Sequence, residues 1–257
     1  MTPLPTLIGM VHLGPLPGAP RYENDLDRII DRAVTDSRVL AEAGFEGLMI
    51  ENFGDAPFFA TEVPKVTIAA MARVITEIAR ASSVPFGVNV LRNDAGAALA
   101  IAAATGASFI RVNVLSGTMF TDQGTIEGRA AELARMRANL APEVSIFADV
   151  HVKHATPPSG LTITDAATDL WERSGADAVV VSGSGTGSPA AVTDIQAVRD
   201  AVPDAPLFLG SGVDVDQVAE IRGLVDGVIV GSSLKIGNID QPIDASLAAR
   251  FVTTWTG

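Results

Sequence analysis

Short apolar runs rich in branched residues recur along the chain, each followed by a loop and then by a segment with helical spacing. The runs are LIGMVHL (7–13), GLMIEN (47–52), PFGVNVL (85–91), FIRVNVL (109–115), SIFADVHV (145–152), DAVVVSG (177–183), PLFLGSG (206–212) and GVIVGSS (227–233). Runs this short, bounded by glycine and proline, predict buried strands. Between them, DLDRIIDRAVTDSRVLAEAG (25–44) carries apolar residues three and four apart and stops at glycine. That pattern predicts an amphipathic helix. DAGAALAIAAATGA (94–107), TDIQAVRDAVP (193–203) and DVDQVAEIRGL (214–224) predict further helices. The entries AGFEGLMI, TGASFIRV and SGADAVVV each run from a helix-ending glycine into a buried strand.

Eight such strands alternating with about eight helices predict an α/β chain forming a (β/α)8 TIM barrel, a single domain over residues 1–257. An open doubly wound sheet needs a glycine-rich first turn, and VHLGPLPGAP (11–20), with its prolines, makes a poor one.

In a barrel, side chains alternate in and out along each strand, and active sites form at the C-terminal strand ends. Those ends carry His12, Glu51, Asn89, Arg111 with Asn113, Asp149 with His151, and Ser182. Polar groups facing a barrel interior are costly unless paired, so six strands carrying them at the same level point to a site. The chain's three histidines, His12, His151 and His154, all fall at or just past a predicted strand end. Arg111 would sit inside the barrel and demand a carboxylate, which Glu51 or Asp149 would supply.

The last two predicted strands end in Gly210-Ser211-Gly212 and Gly231-Ser232-Ser233. Glycine lets backbone N–H groups approach a ligand, and a following helix N-terminus favours anions. GSGVDVDQ offers such a helix start, and GSSLK adds hydroxyls and Lys235. The two turns predict the halves of one phosphate cup, as barrels build after strands seven and eight. VSGSGTGSP (181–189), with Ser184, is expected to close over the same anion. GPLPGAPRYEND (14–25) and FGDAPFFATEVPK (53–65) are expected to be lids, with Phe53, Phe58 and Phe59 placed to stack on a flat ring.

Composition narrows the function classes. The chain has 257 residues, 47% hydrophobic and 19% charged, with a net charge of −12. That charge argues against nucleic acid and anionic membranes as partners. The absence of cysteine excludes disulfides, thiolate nucleophiles and Cys-based metal sites. MTPLPTLIGM has no basic region followed by a long apolar segment, and no run reaches roughly 18 apolar residues. A cytoplasmic location is therefore expected.

The blocks IGMVHLGPLPGAP, GLMIENFGDAPF, VPFGVNVLRND, IRVNVLSGTMFTDQG, ADVHVKHA, VSGSGTGSP and VGSSLK together resemble the BtpA/SgcQ family nearly end to end. His12, Glu51, Asn89, Asn113, Asp149, His151 and Lys153 fit its motif blocks. The resemblance implies a TIM barrel. It also implies a link to photosystem I biogenesis in phototrophs, to sugar-utilisation genes in another branch, and to nucleoside phosphorolysis in other members.

A phosphate cup facing such a rim suits several reactions. In the first, inorganic phosphate, as co-substrate, attacks C1 of a ribosyl group and releases a purine base and ribose 1-phosphate. His12, Asn89, Arg111, Asn113, Lys153 and Ser182 would bind substrate, Glu51 or Asp149 would assist the leaving base, and His151 would act as acid or base. Ser184, Gly210, Ser211, Gly212, Gly231, Ser232 and Ser233 would hold phosphate. This reaction requires no metal or other cofactor. In the second, the cup holds a phospho-sugar for isomerisation or aldol cleavage, with Lys153 as a Schiff-base candidate. A divalent metal at Asp149, His151 and His154 is a third, less favoured option. A non-catalytic assembly factor is a fourth. Homo-oligomerisation through the rim loops is expected.

Overall fold

The computed structural model describes residues 3–183, 185 and 187–257. Ser184, expected to bind phosphate, lies outside them. The strands are β1 (Leu7–His12), β2 (Gly47–Glu51), β3 (Phe86–Asn89), β4 (Phe109–Val112), β5 (Thr118–Thr121), β6 (Gly124–Glu127), β7 (Ser145–Val150), β8 (Ala155–Thr156), β9 (Ala178–Val181), β10 (Leu207–Leu209) and β11 (Gly227–Val230). The helices are α1 (Leu26–Ala43), α2 (Lys65–Ala81), α3 (Ala95–Thr105), α4 (Ala130–Leu140), α5 (Ile163–Thr168), α6 (Val192–Ala201), α7 (Val218–Ile221) and α8 (Ala245–Thr256). Eight strands close a parallel barrel in the order β1-β2-β3-β4-β7-β9-β10-β11, and every one of the eight predicted runs supplies one of them. β6, β5 and β8 form a small antiparallel sheet that periodicity did not reveal.

Local chemistry sets the helix ends. Asp25 accepts from the Arg28 N–H at 2.9 Å and Asp94 from the Ala97 N–H at 2.8 Å, so each caps the helix behind it. Gly44 and Gly106 stop α1 and α3 with φ of 104° and 81°, where a side chain would be strained.

The barrel interior is filled by Ile8, Met10, Met49, Phe109, Phe147, Ala178, Val180, Phe208 and Ile229. Phe147 lies between Phe109, on which it stacks, and Phe208, to which it is tilted, with ring centroids 5.0 and 4.9 Å apart. These rings need room that two glycines leave. A Cβ on Gly87 would come within 2.2 Å of Phe109, and one on Gly227 within 2.3 Å of Phe208. The outward-facing Leu, Ile and Val of the strands pack against the helices in a second, larger core.

Register then positions the polar layer. His12 pairs with Glu51, Glu51 with Asn89, and Asn89 with Arg111, so four neighbouring strands end at one level. All lie just above the apolar plug, at the C-terminal mouth.

Candidate active site at the mouth of the barrel

Arg111 on β4 pairs with Asp149 on the adjacent strand β7. Its Nε donates to Oδ2 at 2.9 Å and its Nη2 to Oδ1 at 2.6 Å. Asn113 Nδ2 donates to Oδ2 at 2.9 Å, and the Ser182 hydroxyl donates to Oδ1 at 3.2 Å. Burial works against the Arg111 charge, but Asp149 more than offsets it and raises its pKa. Arg111 Nη1 also donates to the Gly210 carbonyl at 3.2 Å. A Cβ on Gly210 would lie 2.5 Å from Arg111 Nη2, so this glycine leaves room for a guanidinium. Three of the expected site residues are engaged with one another or with Arg111 here. Asp149 is the partner of Arg111, and both its oxygens accept hydrogen bonds. Ser182 serves the same network, and Gly210 serves the Arg111 side chain, because a buried ion pair needs all its polar atoms satisfied.

Glu51 is buried and accepts from Asn89 Nδ2 at 2.6 Å. It faces a cavity of about 470 Å³ that it shares with Phe53, Phe58, Leu91, Arg92, Asp122, Gln123, Lys153 and His154. Arg92, Asp122 and Gln123 were missed in the sequence. Arg92 stands just past β3 in LRND, and the other two form the turn between β5 and β6, which nothing in the hydrophobic pattern placed over the mouth. Burial lowers the Lys153 pKa, with Glu51 pulling the other way.

His12 packs edge-on against Phe53 at 5.0 Å and beside Gly231, where a Cβ would come within 2.7 Å of its Cε1. Its Nδ1 is buried without a partner among the described residues. Burial, then the charges of Lys235, Lys153 and Arg111, hold its pKa well below 6.5, so the ring is neutral at pH 7.

His151 departs from expectation. β7 ends at Val150, and His151 takes a φ of 48°, which breaks the two-residue alternation with Asp149. Its ring borders a small cavity with Asn113, Asp149, Leu161 and Leu170, away from Glu51 and Lys153. His154 also has a positive φ, 56°. Among the described residues no three His, Asp or Glu side chains converge as a metal site would require.

The glycine loops do meet. A Cβ on Gly212 would collide with the Ser188 carbonyl at 1.9 Å, and one on Gly187 would touch Ser232 Oγ at 3.5 Å. The segments after β9, β10 and β11 are therefore stacked together, next to His12. The backbone N–H groups of Ser211, Gly212, Ser232 and Ser233 find no acceptor among the described residues. Ser211 Oγ is buried and unpartnered as well. Other details differ from expectation. Ser233 Oγ donates to the Val213 carbonyl at 2.7 Å and ties the two loops together. The Asp214 carboxylate accepts from the N–H groups of Asp216 and Gln217, and α7 has only four residues, so no helix end faces the cup. Lys235 turns away to the Ile239 carbonyl at 2.6 Å, and burial lowers its pKa to about 8.

A closed parallel (β/α)8 barrel with a polar C-terminal mouth defines a TIM-barrel protein. The chain belongs to the BtpA family, whose model matches residues 4–256. It is 45% identical over 247 residues to the photosystem I biogenesis protein BtpA of Synechocystis, covering 96% of this chain and 86% of that one. An uncharacterized protein of Thermococcus kodakarensis is 47% identical over 247 residues, covering 96% and 93%. Among solved structures, thiamine phosphate pyrophosphorylase from Pyrococcus furiosus superposes with a TM-score of 0.60 at 13% identity, covering 98% and 96%. Phosphoribosyl anthranilate isomerase from Thermus thermophilus gives 0.61 at 10%, covering 97% and 98%. These two likenesses show the fold. Among the described residues, no helix is long and apolar enough to cross a membrane.

Proposed function

We propose that the protein is an enzyme that cleaves a nucleoside with inorganic phosphate, releasing the free base and ribose 1-phosphate. The observation that carries this reading is the set of unpaired backbone N–H groups at Ser211, Gly212, Ser232 and Ser233, with the Ser211 hydroxyl, next to a rim carboxylate. Unpaired N–H groups on glycine loops suit a phosphate dianion. Gly231 touches His12, and His12 is in register with Glu51, so nucleophile and carboxylate share one mouth.

In this reading a phosphate oxygen in the cup forms a bond to C1 of the ribosyl group as the C1–N bond breaks. Positive charge builds on the sugar ring in the transition state. Glu51, held by Asn89, stabilises that charge and accepts from the sugar hydroxyls. Neutral His12 offers its unpartnered Nδ1 to another hydroxyl. The Arg111–Asp149 network keeps the floor rigid. The reaction calls on phosphate as co-substrate and on no other cofactor.

The test is incubation with a panel of nucleosides and phosphate, following base and pentose 1-phosphate by chromatography. Phosphate-dependent base release is expected, and Glu51→Gln should lower kcat by roughly 10²–10³-fold with the fold intact. Turnover of a phospho-sugar with no base release from any nucleoside would reverse the reading.

A further inference from the structure

Two cations in the mouth cavity lack the anionic partner that Arg111 has. Arg92 is 4% exposed, and its Nη2 donates to the Lys153 carbonyl at 2.5 Å. Its Nε and Nη1 donate to nothing among the described residues, and neither does Lys153 Nζ. No carboxylate among the described residues stands at salt-bridge distance from either. Burying a guanidinium without satisfying it is costly, so the pair implies an acceptor supplied by the ligand.

The cavity also limits what that acceptor is. Glu51 and Asp122 line it too, so a preformed dianion would meet two negative charges as well as two positive ones. Phe53 and Phe58 contribute aromatic side chains to its lining. The buried Gln123 Oε1 has no donor among the described residues, while its Nε2 donates to Asp122 at 2.5 Å. Among the described residues, the walls thus present unsatisfied donors and an unsatisfied acceptor around a cavity that two aromatic side chains line. A lactam edge, a ring C=O beside a ring N–H, satisfies both. The position is apt as well. Arg92 follows β3, which lies opposite β10 in the barrel order, so it stands across the mouth from the glycine loops, while Lys153 follows β7, two strands from β10.

We propose, resting on the phosphorolytic reading, that Arg92 and Lys153 bind the carbonyl oxygen of an oxopurine leaving group and stabilise the negative charge it gains. The Gln123 oxygen accepts from the neighbouring ring N–H. As the phosphate oxygen bonds to C1 from the cup side, the C1–N electron pair passes into the ring and toward the carbonyl oxygen. Lys153 gives the departing base one proton and regains it from water. Its lowered pKa makes it the readier donor.

The experiment compares inosine with adenosine, which lacks the lactam. Inosine is expected to have a kcat/KM at least about 10²-fold higher, because a site built to pair such an edge is left unsatisfied by the analogue. Arg92→Met should cost inosine roughly 10²-fold, but 7-methylinosine, whose base leaves without gaining negative charge, only about threefold. A structural role for Arg92 would lower both alike, and that outcome overturns the proposal. Gln123→Leu should narrow the preference for inosine. Binding of the free bases, measured by calorimetry, separates this inference from the reaction itself. Hypoxanthine should bind at least about tenfold tighter than adenine, and Lys153→Met should remove the difference. Equal binding by wild-type protein overturns the inference even if nucleosides are cleaved. Preferential hypoxanthine binding without any cleavage leaves the site standing and removes the phosphorolytic reading.

Discussion

Asp149 and Glu51 are both buried acids near the C-terminal ends of barrel strands, and their partners separate their roles. Asp149 receives hydrogen bonds on both oxygens from Arg111, Asn113 and Ser182. Asp149→Asn removes one charge of that pair and strands the guanidinium. It should cost about 3–5 kcal/mol in denaturant unfolding, with activity falling only as the folded fraction falls. Full stability with lost turnover would return Asp149 to the catalytic set. His12 permits a test with a definite sign. Its pKa is lowered mainly by burial, so below the unfolded value near 6.5 the unfolded chain binds the proton that the folded chain refuses. Stability should therefore hold above about pH 6.5 and decline as pH falls below it. Burial lowers His151 and His154 in the same direction. His12→Asn should flatten the acid side of a plot of Tm against pH; an unchanged slope would show that His12 is not its source.

At the level of elements, the barrel depends on where glycine stands among the strands. Gly87 on β3 faces the Phe109 ring, which is itself stacked on Phe147 and cannot retreat. Gly87→Ala should cost about 1–3 kcal/mol or more, measured by chemical denaturation, although alanine suits a strand no worse than glycine does. A neutral result would mean that the plug is loosely packed. The eight barrel strands were legible because each is a short apolar run ended by glycine, proline or a polar tip. The β5–β6 hairpin was not, because TMFTDQGTIE lies in an exposed turn whose strands bury only Met119 and Ile126. Half-buried alternation over four residues is too short to declare itself. GSGVDVDQ misled for the opposite reason. Its helical spacing is real, but Asp214 occupies the free N–H groups and the helix spans a single turn.

For the whole molecule, the question is what covers the mouth. Phe59, Phe120 and Ile236 are 56%, 51% and 66% exposed, and they sit on the segments that follow β2, β4 and β11. These segments all rise from the C-terminal face. Light scattering is expected to give a mass that is a multiple of the single chain, and Phe120→Asp is expected to reduce it. A monomer at all concentrations would show that these residues meet only solvent.

Sequence by itself determined the barrel, its single polar mouth and the pairing of glycine loops at the final strands, because period, strand length and turn chemistry are local properties. It also brought His12, Glu51, Asn89 and Arg111 to one level, since parallel register follows from the repeating unit. Only the tertiary structure decided which acid Arg111 takes, that Gly210 makes room for a side chain, that His151 turns aside, and that Arg92 has no counter-ion among the described residues. Those outcomes depend on distances between segments far apart in the chain, and a buried charge is settled by whichever neighbour reaches it first with the right geometry.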